Sequence, residues 1–159
     1  MKNGFTLIEI LVVVIIFATV GLLSTRAILL SVQGSKKGSS SVTVRENLNY
    51  SFSVIERLVR NANKIISCIS SPPTITYLDE KDVSTTFTCV TSGSDKYIAS
   101  GSARLTSSEV VITSCDIVCD LTSVPPSVTI DVTAKDVSTL STKESAQISI
   151  SSKILLRTY

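Results

Sequence analysis

At 159 residues the chain has room for one membrane helix and one small domain, and little more. Its formal charge is +2 with no basic block, so it presents no general field for polyanions. Histidine and tryptophan are absent, which removes the usual neutral-pH acid–base group and metal ligand and argues against an enzyme.

The first two dozen residues are the most informative. Lys2-Asn3-Gly4 leads into Phe5-Thr6-Leu7-Ile8-Glu9, and then into Ile10 to Leu23. From Phe5 to Leu23, 15 of 19 residues are apolar, close to the ~20 that a helix needs to cross hydrocarbon. Glu9 interrupts this run. A charged side chain costs about 2.5–3.5 kcal/mol at a bilayer centre and less toward an end, so Glu9 marks a functional position that needs a partner.

This arrangement resembles the prepilin signal of type IV pilins and type II secretion pseudopilins. Gly4, Phe5, Thr6, Leu7, Ile8 and Glu9 match that signal position for position, with Lys2 as the leader charge. The resemblance implies that a membrane-embedded prepilin peptidase cuts after Gly4 and methylates the new amine of Phe5. A methylated amine stays basic, so Phe5 keeps its positive charge. The resemblance further implies that Glu9 pairs with the Phe5 ammonium of a neighbouring subunit. Implied partners are other pilin or pseudopilin subunits, the peptidase and the membrane platform protein of the assembly machine. No cofactor, metal or catalytic residue is implied. The implied location is the inner (cytoplasmic) membrane, crossed once with the N-terminus cytoplasmic, and then an extracellular or periplasmic filament. Two plainer readings compete. A secretory signal peptide ordinarily has no acid in its apolar core. A simple anchor would hold an extracellular binding or adhesin domain that never enters a filament.

Beyond Arg26 the sequence stays compatible with helix through Gln33, and Gly34, Gly38 and Ser39 to Ser41 form the stretch where a break or kink is expected. Leu48, Phe52, Ile55, Val59, Ala62 and Ile66 then recur at helical spacing on one stripe. Joined from Phe5 to Ile66, such a helix would run roughly 90 Å. Its first half is apolar all round and its second half amphipathic. Residues 1–4 read as leader, 5–30 as the hydrophobic helix, 31–67 as the amphipathic helix and 68–159 as an extracytoplasmic β-rich domain. Pro72-Pro73 are expected to end the helical region. Strands are expected at Thr74–Tyr77, Thr85–Val90, Lys96–Ala99, Glu109–Thr113, Val128–Ala134 and Ala146–Leu156, with a loop over Asp136–Lys143. The predicted fold is α+β, a long N-terminal helix packed against a C-terminal antiparallel sheet in the manner of a pilin.

Cys68, Cys89, Cys115 and Cys119 all follow the membrane segment, on the side where disulfides persist. Four cysteines allow three pairings. Shortest-loop closure favours Cys68–Cys89 and Cys115–Cys119, the latter requiring a turn at Asp116-Ile117-Val118, because a continuous strand would separate those Cα atoms by about 13 Å. Pairings that join Cys68 to Cys115 or Cys119, and free thiols, stay open.

Other chemistry finds little support. There is no nucleophile–base set, and Gly93 and Gly101 do not build a phosphate loop. Asp79, Glu80 and Asp82 read as a solvated turn, since the dense oxygen-ligand spacing of a calcium loop is missing. Lys96-Tyr97, Arg104 and Lys135 are too scattered for a nucleic-acid groove. Within the resembled family, the Ile55–Ala62 segment with its two arginines and the closing Leu156-Arg157 look more like a minor subunit than the abundant one.

Overall fold

The computed structural model describes residues 6–90, 93, 95–137 and 145–157. It divides into two compact units between Lys36 and Lys37. Within the first, α1 (Leu7–Arg60) begins and every described residue is exposed. No break occurs at Gly34, Gly38 or Ser39 to Ser41; helical hydrogen bonding runs through them, since two glycines weaken a helix by only about 1 kcal/mol each.

The second unit holds the remainder of α1 and, among the described residues, eight strands. They are β1 (Lys64–Ser70), β2 (Pro73–Leu78), β3 (Ser84–Val90), β4 (Tyr97–Ser100), β5 (Ala103–Arg104), β6 (Val110–Asp120), β7 (Ser127–Asp136) and β8 (Gln147–Leu155). Pairing is antiparallel throughout. Where one sheet was expected there are two, a meander β1-β2-β3-β4-β5 and a meander β6-β7-β8, with β6 lying against β1, β2 and β4.

The amphipathic stripe is the helix's contribution to the core. Val44, Leu48, Phe52, Ile55 and Val59 are all 4% exposed or less and cluster with strand residues such as Ile75, Phe87, Ile112 and Ile154. Burying each such side chain contributes about 1.5–3 kcal/mol. Tyr77 and Phe87 stack at 5.4 Å between β2 and β3. Burial, with the Asp79 charge adding to it, pushes the Tyr77 hydroxyl up to about 12. Polar contacts fix the helix against the strands and their connections at intervals. The Ala146 N–H donates to Ser40 Oγ (3.0 Å), the Ser107 N–H to Asn47 Oδ1 (2.9 Å), and the Ser152 hydroxyl to Glu56.

The helix stops earlier than its periodicity predicts. Asn61 and Ala62 donate their N–H groups to Arg57 and Val59, closing the last turn, and the Asn63 N–H already pairs with the Leu78 carbonyl of β2. Ile66 therefore belongs to β1, not to the stripe. A register shift between Ile65 and Ser67 leaves Ile66 48% exposed, while Ile65 takes the buried position. Pro72-Pro73 accordingly turn the chain between β1 and β2 and do not end the helix. Gly101 occupies the tight β4–β5 turn at φ +57°, a conformation that favours glycine.

The cysteine pairing is likewise corrected. Cys68 bonds Cys119 and Cys89 bonds Cys115, with Cα separations of 6.3 and 6.4 Å. The turn needed for Cys115–Cys119 does not form, because β6 runs unbroken from Val110 to Asp120 and pairs along its length with β7. Both bonds instead tie β6 to the other sheet. The expected loop after Asp136 falls largely outside the described residues.

Candidate assembly segment

The Thr6 carbonyl accepts the N–H groups of Glu9 (3.1 Å) and Ile10 (3.3 Å), which makes Thr6 the N-cap of α1. Thr6-Leu7-Ile8-Glu9 has the spacing of a capping box, a local signal that the hydropathy reading passed over. Glu9 consequently sits in the first helical turn, where the helix dipole favours a carboxylate. Its carboxylate has no hydrogen bond or ion pair among the described residues. The expected cleavage and methylation positions Gly4 and Phe5, and hence the other half of the expected charge pair, lie outside those residues.

Following Glu9 is a helix whose apolar side chains stay exposed among the described residues. Leu7 is 84% exposed, Phe17 74% and Leu30 69%. The stretch is long and apolar enough to cross a membrane, with a mean hydropathy of 2.7 over its best window. Its hydroxyls are satisfied locally, Thr19 donating to the Ile16 carbonyl and Thr25 to the Gly21 carbonyl, both at 2.9 Å. That back-bonding lowers the cost of placing them in lipid.

The model of the prokaryotic N-terminal methylation motif matches residues 1–25. Over that N-terminal segment the chain is similar to the type IV pilins and pseudopilins. The motif and the exposed apolar surface from Leu7 to Leu30 together support a chain anchored in a membrane. No curated protein and no solved structure matches the chain.

The remaining residues singled out from sequence have structural uses. Asp79 Oδ1 accepts the N–H groups of Lys81 (2.8 Å) and Val83 (2.9 Å), and Asp82 accepts from the Asn63 amide (3.0 Å), so these acids shape the β2–β3 turn. Arg104 pairs with Asp95 (2.6 Å) and lies over the Tyr97 ring at 4.6 Å. Arg57 and Arg60 occupy the last turn of α1, where cations complement the helix dipole.

Proposed function

We propose that the chain is a minor subunit of a type IV pilus or type II secretion-like filament, cut after Gly4, methylated at Phe5 and assembled by pairing Glu9 with the Phe5 ammonium of an adjacent copy or sister subunit. The supporting observation is the coincidence, in one exposed apolar helix, of the methylation motif with a carboxylate in the first turn. In an apolar bundle two opposite charges are strongly coupled, and stranding either one costs several kcal/mol. The pair therefore supplies register as well as attraction. Contacts along the filament are heterologous, each copy using different surfaces front and back. Before assembly the subunit waits in the inner membrane with its N-terminus cytoplasmic, and the platform protein and motor of the machine drive extraction. Minor status is supported by the arginine-bearing end of α1 and the Leu156-Arg157 pair that follows β8.

The test is incorporation. The chain and its Glu9→Val variant are each expressed with the native filament partners, and sheared filaments are blotted. The native chain is expected in the filament fraction, with Glu9→Val cleaved but left in the membrane. Equal incorporation contradicts the charge pair. Cleaved native protein that never leaves the membrane favours an anchored binding or adhesin domain.

A further inference from the structure

Two charges bracket the apolar helix unequally. Between Glu9 and Arg26 lie 16 uncharged residues, Ile10–Thr25, or about 24 Å of helix. Bilayer hydrocarbon is about 30 Å thick, so this interval is short by roughly one helical turn. The apolar surface does not stop at Arg26, however. Ile28 is 64% exposed, Leu29 57% and Leu30 69%. Ile10 to Leu30 makes about 32 Å, a full span, and puts the Arg26 backbone about 6 Å inside its far end. The hydroxyls of Thr19 and Thr25 are already bonded to the helix's own carbonyls, whereas Arg26 has no hydrogen-bond or ion-pair partner among the described residues. A guanidinium at that depth must run outward to the headgroup region, where phosphate is the anion that fits it.

We propose that Arg26 binds the phosphodiester of a lipid in the leaflet opposite the peptidase, and that this contact sets the depth of the helix while the subunit waits in the membrane. A planar guanidinium matches a phosphate through two parallel hydrogen bonds, which a lysine cannot reproduce geometrically. A long side chain can run outward along apolar surface to place its charge at the headgroups. Helical Cα–Cβ bonds tilt toward the N-terminus, here away from that leaflet, so the reach is shortened and the headgroup is drawn inward. Such a span prefers a thinner bilayer. This inference rests on the membrane-anchored, peptidase-processed reading above.

The chain has no tryptophan, so Val20→Trp gives a single depth reporter in the full-length protein. It is reconstituted dilutely in phosphatidylcholine vesicles carrying lipids brominated at graded depths. Arg26→Leu is expected to let Ile28 to Leu30 sink and to move the indole about 6 Å deeper, one turn of helix, with Arg26→Lys shifting it less. An unchanged depth in Arg26→Leu, with cleavage by the peptidase intact, overturns the lipid contact and leaves the processing reading standing. A shift seen only in crowded vesicles also overturns it, assigning Arg26 to a carboxylate of another copy. An indole quenched at no depth overturns both.

Discussion

Glu9 illustrates how magnitudes decide a role. The N-terminal dipole of α1 returns about 0.3–1 kcal/mol to a first-turn carboxylate, whereas hydrocarbon costs a charge up to ~2.5–3.5 kcal/mol at its centre and less toward the end where Glu9 lies. Replacing Glu9 by valine should therefore make membrane insertion easier, so the loss of assembly expected of Glu9→Val is not a failure to insert. A second carboxylate shows what a fully served acid looks like. Asp120 accepts the Thr122 hydroxyl and the N–H groups of Thr122 and Ser123, and these bonds hold its carboxyl below the usual range. A lowered folded pKa means that its contribution is present above the unfolded value, near ~3.9, and is lost as pH falls through the folded one. Denaturant midpoints between pH 5 and pH 2 should fall more steeply for the native chain than for Asp120→Asn. Parallel slopes would show that the turn does not depend on the charge.

At the scale of the element, α1 combines two regimes in 54 residues, exposed throughout Leu7–Lys36 and carrying a buried stripe from Ser40 to Val59. Gly34 and Gly38 have open space around them, with nothing within 4 Å of an added Cβ. Gly34→Ala and Gly38→Ala should each stabilise the helix by up to about 1 kcal/mol, read as greater helicity by circular dichroism in micelles. Reduced helicity would show that the glycines serve a shape the uninterrupted helix does not have. The stripe from Leu48 to Val59 was legible because burial imposes a helical period on sequence. Its end was not. Ala62 and Ile66 continue the same spacing; Ala62 stays buried, but the pairing of β1 with β2, together with the shift beside Ile66, turns Ile66 outward and Ile65 inward. Long-range pairing leaves no mark on local periodicity.

Across the whole molecule, the strands from β2 to β4 and β7 to β8 follow alternations visible in the sequence, but their grouping into two sheets does not. Cysteine pairing was misjudged for the same reason. Short loops favour Cys68–Cys89 and Cys115–Cys119, whereas the fold lays β6 beside the first meander and brings Cys119 to Cys68 and Cys115 to Cys89 across 51 and 26 residues. Cross-links of that kind stabilise a domain by about 2–5 kcal/mol each, chiefly by restricting the unfolded chain. Reduction should thus lower the denaturant midpoint of the β-rich unit without affecting peptidase cleavage, since the processing motif ends at residue 25. Cleavage that ceased on reduction would contradict that separation. The N-terminal signal was the most legible part, because its chemistry is written in consecutive residues. The most direct measurement is accordingly the mass of the N-terminal peptide after co-expression with a prepilin peptidase. A chain beginning at Phe5 and carrying one methyl group is the expected result; an intact Met1, or a cut after Leu23, would contradict processing at Gly4.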